Sequence, residues 1–153
     1  MRTLIKNGWI WRGGETSVEP EPEDVLIENR RIVSVGLLSG VADADVIDAA
    51  GMLVMPGLVN AHFHSPVNHM KGALPSLPLE LFMLYESPAN EALRPTPREA
   101  YVRTLLACFE MIRNGVTAVQ DDAFFVPYPE PAIIDAVLQA YEDSGLRARV
   151  ALD

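Results

Sequence analysis

With 153 residues the chain is long enough for one ordinary domain with a real core. Apolar residues make up 49% of it and charged residues 22%, the balance of a soluble globular protein and not of a disordered one. Its net charge of −9 is repelled by nucleic acids and anionic membranes, which excludes both as partners and reads as solubility.

Residues 1–55 read as a set of short strands. Thr3–Trp11 is the first, followed by a Gly/Glu/Pro-rich loop through Glu23. Val25–Glu28 and Arg31–Val35 flank Asn29-Arg30, which is hairpin spacing. Asn accepts positive φ readily and Arg less so, which leaves the turn type open. Val46–Asp48 and Met52–Met55 add two more strands, and the edges of such a layer must pair with something.

After Pro56-Gly57 the texture changes to strand, helix, strand, helix, strand. The first strand, Leu58–Phe63, runs into His62-Phe63-His64-Ser65. A long segment with five prolines (Pro66, Pro75, Pro78, Pro88, Pro95) and an apolar stretch, Leu79–Tyr85, separates His64 from Thr96. Loops of this length in compact domains are lids or binding loops, or packed excursions. Thr96-Pro97-Arg98-Glu99 then predicts a helix start: an N-cap Thr, a Pro at the first position and a Glu at the third for a capping box. Tyr101, Val102, Leu105, Leu106, Phe109 and Ile112 follow the helical period, and Gly115 is placed to end it. Cys108 falls on that apolar side, as a buried structural thiol. Val116–Val119 is the second strand. Ala132–Glu142, with Ile133, Ile134, Val137, Leu138 and Tyr141 on one face, predicts a helix that stops at Gly145, and Arg149–Leu152 is the third strand. Strands alternating with helices indicate parallel pairing. A closed eight-stranded barrel takes about 250 residues, so this pattern predicts only its first three strands.

Successive side chains of a strand alternate faces, so His62 and His64 project together and Phe63 away. Two neutral imidazoles on one side offer two nitrogen ligands to one divalent metal. Active sites of β/α barrels sit at the C-terminal ends of the strands, where this pair lies. His69, beyond the strand, reads as a surface or supporting residue. Asp121 and Asp122 end the second strand on the same side of the barrel, where a carboxylate either orients an imidazole or caps a turn. Glu80 and Glu86 lie in the long loop and read as solvated. The single cysteine excludes an internal disulfide. The N-terminal Met-Arg-Thr-Leu-Ile-Lys-Asn-Gly lacks the apolar core of a signal peptide, and no apolar stretch reaches a membrane span, which predicts a cytoplasmic location.

Val46 through Ser65, ending in Met-Pro-Gly-Leu-Val-Asn-Ala-His62-Phe63-His64-Ser65, resembles the entry into the barrel of the amidohydrolase superfamily. Asn114-Gly115-Val116-Thr117-Ala118-Val119-Gln120-Asp121 is similar to that family's second strand. The hairpin Val25–Gly36 is similar to its accessory β-sandwich, with Arg30 where a glycine is usual. Within the superfamily, Asn-Ala-His-x-His-Ser before a Pro/Leu-rich loop resembles the branch of chlorohydrolases and of cytosine, guanine and S-adenosylhomocysteine/methylthioadenosine deaminases.

This resemblance implies an α/β fold, the start of a (β/α)8 TIM barrel (strands one to three, residues 56–153) preceded by part of a small β-sandwich (residues 1–55). It implies one divalent metal, zinc first and iron second, with His62 and His64 as its first two ligands. A third His, an Asp, a catalytic Glu and a further His come in that branch from later strands. No position here matches them, so no catalytic residue is expected within this chain, and an N-terminal portion of this kind is expected to be inactive alone. The implied reaction is hydrolysis of a carbon–nitrogen bond outside peptides: deamination or dechlorination of a small heterocycle. Water whose pKa falls from about 15.7 towards 7 on the metal is the nucleophile. Ser65–Pro95 is then the candidate substrate-binding loop and Asp121 a candidate support behind the ligands. The remainder of the barrel or another chain is needed to complete the fold, and a homo-oligomer is compatible with it. The competing expectation is a non-catalytic β/α module used for metal binding or association.

Overall fold

The computed structural model describes residues 1–13, 19–88, 90–126, 128 and 130–152. Residues 14–18, part of the expected loop after the first strand, lie outside them. The chain divides into two compact units, Met1–Pro56 and Gly57–Asp153.

The first unit is one five-stranded sheet. β1 (Arg2–Ile10) pairs antiparallel with β2 (Glu21–Glu28), and β2 with β3 (Arg31–Gly36). On its other side β1 pairs in parallel with β4 (Asp45–Asp48) and then β5 (Leu53–Val54). The β2–β3 hairpin turns on Asn29 and Arg30, with φ of 48° and 68°. Two consecutive positive φ values are the mark of the type I′ turn, whose twist matches the flanking strands. The β1–β2 register shifts between Ile5 and Gly8, where Asn7 takes φ 61°. Its amide would otherwise be an unpaired donor there. The buried Asp24 carboxylate accepts it at 2.9 Å and takes the Leu38 amide at 3.1 Å on its second oxygen.

The second unit is mixed α/β. β6 (Leu58–Phe63), β7 (Val116–Asp122) and β8 (Arg147–Ala151) form a parallel sheet in that order. The β6 segment matches the expected strand end for end. The long connection after it folds into a 3-10 turn over Ser65–Met70, helix α1 (Leu79–Glu86) and a second 3-10 turn over Glu91–Leu93. No residue of α1 is buried.

Helix α2 (Pro97–Arg113) links β6 to β7, and α3 (Pro131–Ser144) links β7 to β8. The capping box at Thr96 is complete: its hydroxyl accepts the Glu99 amide and the Glu99 side chain accepts the Thr96 amide. α3 ends on Gly145 at φ 73°, and Gly115 after α2 has φ 78°, the left-handed closures the sequence predicted.

The core lies between these helices and β7, built on Ala107, Cys108, Met111, Val119, Ile133, Val137 and Tyr141. Cys108 is fully buried and burial pushes its thiol pKa up, the behaviour of an inert structural cysteine. The buried face of α2 differs from the expected one. Ala100, Thr104, Ala107, Cys108 and Met111 are buried, whereas Val102, Leu106, Phe109 and Ile112 are exposed. Small side chains let α3 approach closely along the first stripe, and the larger apolar residues fall beside it. A hydrophobic count alone cannot separate two neighbouring stripes.

Candidate metal centre

Strand alternation sorts the carboxyl end of the second unit into two faces. His62 and His64 share one face of β6, and Phe63, half-buried against the core, takes the other. The two imidazole centroids are 4.9 Å apart with ring planes nearly perpendicular. His64 is further fixed by an edge contact with Phe124 at 5.3 Å.

The His64 ring has a defined hydrogen-bonding state. Its Nδ1 lies 3.0 Å from the backbone carbonyl of Asp122. A carbonyl can only accept, so Nδ1 carries the hydrogen, and in the neutral ring the lone pair is then on Nε2. The Asp122 carboxylate stands farther off, at 3.6 Å from the same nitrogen, and its Oδ1 is buried without a partner among the described residues. His62 is exposed, and its amide donates to Asn60 Oδ1 at 3.2 Å. Two imidazoles side by side, one of them held through its Nδ1, are nitrogen donors of the kind a divalent cation takes. Among the described residues no group of three or more His, Cys, Asp and Glu that could hold a metal is gathered, and the two imidazoles stand as a pair.

Asp121 is on the opposite face of β7 from Asp122, fully buried. It hydrogen-bonds to neither ring. Its Oδ1 accepts the Ser65 amide at 2.9 Å and its Oδ2 accepts the Tyr141 hydroxyl at 2.8 Å. Burial raises the carboxyl pKa, opposed by the hydrogen bonds from Ser65 and Tyr141. The Tyr141 hydroxyl pKa is also pushed up, by burial first and then by Asp121, which keeps it a donor. Sequence reasoning assigned Tyr141 to an apolar helix face and Ser65 to the start of the candidate loop, with no bond between them and Asp121. One signal was available: a tyrosine on a buried aliphatic face needs a partner for its hydroxyl, and β7 carries a carboxylate on its apolar side.

The other acidic and imidazole residues are dispersed. His69, exposed on the 3-10 turn, has its protonation disfavoured by partial burial and by the Arg103 charge. It lines a cavity of about 300 Å³ with Pro66, Glu86, Arg94, Arg103 and Phe124. Glu86 accepts the Ser87 hydroxyl at 2.6 Å, and Glu80 is exposed. Within Ser65–Pro95, Pro66, Val67 and Phe124 beyond it bring this cavity up to His64.

The chain is 38% identical over 146 residues to a 5-methylthioadenosine/S-adenosylhomocysteine deaminase of Thermococcus kodakarensis, covering 95% of this chain and 34% of that protein. It is 35% identical to a 5′-deoxyadenosine deaminase of Methanosarcina mazei, covering 97% and 32%. Among solved structures it resembles an atrazine chlorohydrolase from Arthrobacter aurescens complexed with zinc, with a TM-score of 0.83, 27% identity and coverage of 97% and 35%. The chain thus spans about a third of the length of these relatives. Residues 53–151 match the model of the Amidohydrolase family, and the chain belongs to that family.

Proposed function

We propose that the chain is part of a metal-dependent hydrolase of carbon–nitrogen bonds outside peptides, with His62 and His64 as ligands of one divalent ion. The observation that carries this is the His64 ring, whose Nδ1 is held by the Asp122 carbonyl with the His62 ring centroid 4.9 Å away. The β6–β7–β8 sheet is read as the opening of a (β/α)8 barrel over residues 56–153, and the sheet of residues 1–55 as part of the accessory sandwich. Zinc is the favoured ion, because three of the similar solved structures are described with zinc, and imidazole suits it.

When bound, the ion supplies the Lewis acidity that makes water a nucleophile at neutral pH. His62 and His64 act there as ligands and not as bases. Asp122 holds the His64 ring through its carbonyl, and Phe124 fixes the ring from its edge. The segment Ser65–Pro95, with apolar α1 uncovered on it, is assigned to closing over a flat heterocyclic substrate and excluding water. Deamination of an adenosine-type substrate is favoured over dechlorination, because the sequence relatives with the higher identity are deaminases. The remaining ligands and the catalytic acid–base group are assigned to further strands of the barrel or to another chain.

Zinc titration followed by the ring resonances of the three histidines tests the metal assignment. His62 and His64 are expected to respond together and at lower zinc than His69, with His62→Ala or His64→Ala weakening the response at least about tenfold. An equal response at all three, or His69 first, overturns it. The observation that no third ligand gathers among the described residues favours a second reading, metal binding or association without catalysis. Ammonia release from 5′-deoxyadenosine by zinc-loaded protein in which this chain is joined by the further strands of the barrel, and its loss in His62→Ala, separates the two.

A further inference from the structure

We propose that Asp121 is a positioning residue for His64, acting as a side-chain rung that replaces a missing link between β6 and β7. This inference rests on the reading of His64 as a ligand. The β6–β7 ladder is irregular just where it matters: its register shifts between Asn60 and Phe63, and the last pair is Phe63 with Asp121. Beyond that pair the backbone turns into the 3-10 segment, and the two strands are joined by two other bonds. The Asp121 carboxylate takes the amide of Ser65, and the Asp122 carbonyl takes the ring of His64. Neighbouring residues of β7 therefore grip neighbouring residues of the β6 exit, one through its side chain and one through its backbone carbonyl.

The rung is itself anchored. Tyr141, from α3, donates to the second carboxylate oxygen at 2.8 Å, so the carboxylate cannot swing without losing a buried bond. Ser65 and Asp121 are both fully buried. A carboxylate in such surroundings costs stability, and an apolar residue would fill the place at less cost. What the carboxylate supplies is a fixed distance between the Ser65 amide and β7, and with it the direction of the His64 ring one residue earlier.

The experiment compares Asp121→Asn and Tyr141→Phe with Ile133→Val, a change in the same core layer that touches none of these bonds. Two quantities are read: the tautomer of His64 in the metal-free protein, from ring nitrogen shifts, and the affinity for zinc by competition with a chelator. The wild type is expected to show the Nδ1–H tautomer. Asp121→Asn and Tyr141→Phe are expected to mix the tautomers and to lower zinc affinity at least about tenfold, the scale of supporting residues around metal ligands. Ile133→Val is expected to leave both unchanged even where its melting temperature falls as far. Unchanged tautomer and affinity in the two test variants overturn the proposal, as does an equal loss in Ile133→Val. Should zinc leave His62 and His64 of the wild type unaffected, the metal reading falls, and the tautomer comparison still decides the role of Asp121.

Discussion

Gly57 begins β6's approach to β7, and a Cβ there would fall inside the van der Waals envelope of the Thr117 side chain. Rotation about χ1 moves the Thr117 hydroxyl and methyl aside, but the added carbon would still stand 2.7 Å from Thr117 Cβ. The strands must therefore part. Gly57→Ala is expected to cost about 1–3 kcal/mol in chemical denaturation, and Thr117→Ala in the same chain to recover part of it. At this scale the legible residues were those whose role depends on local alternation. His62 and His64 share a face because a strand has a period of two, which a sequence displays. The Asn29-Arg30 turn was legible as a turn but not as type I′, because arginine carries a φ that its Cβ disfavours. The Asp121–Ser65–Tyr141 bonds were hidden, since they join residues 56 and 20 positions apart, and the β6–β7 pairing and the packing of α3 on β7 bring them together.

α2 shows how capping sets an element's ends independently of its faces. Thr96→Ala removes the acceptor for the Glu99 amide and is expected to lower stability by about 1 kcal/mol, with amide exchange in the first turn faster. The Glu99 carboxyl pKa is lowered by its bonds from the Thr96 amide and hydroxyl. A depressed acidic pKa contributes stability above the unfolded value of 4.5 and loses it as pH falls through the lower folded value. First-turn exchange is therefore expected to quicken over that acidic window in the wild type, and Glu99→Gln to flatten the response. Both ends of α2 were readable because Thr-Pro-x-Glu and Gly act on their own backbone. Its buried face was not, because contact with α3 selects the small-residue stripe.

For the molecule as a whole, the charge of −9 keeps copies apart while large apolar residues such as Val102, Leu106 and Phe109 stand exposed. That repulsion vanishes near the isoelectric point of about 4.7. Light scattering is expected to peak there and to fall steeply by pH 7, with added salt raising it at neutral pH. The strand–helix alternation disclosed the architecture because each helix carries its own start and stop, whereas the connection from Ser65 to Pro95 did not disclose its turns and short helix. The joints at the two ends of the β6–β7–β8 sheet also differ. Each helix passes into the next strand through a left-handed glycine, Gly115 or Gly145, with the strand resuming at Val116 or Arg147. At the histidine end, by contrast, 33 residues separate β6 from α2 and eight separate β7 from α3. Inserted or exchanged sequence is thus absorbed at one end and refused at the other. Such a frame can acquire new substrates by rewriting its long connections while the geometry of its strands is inherited intact.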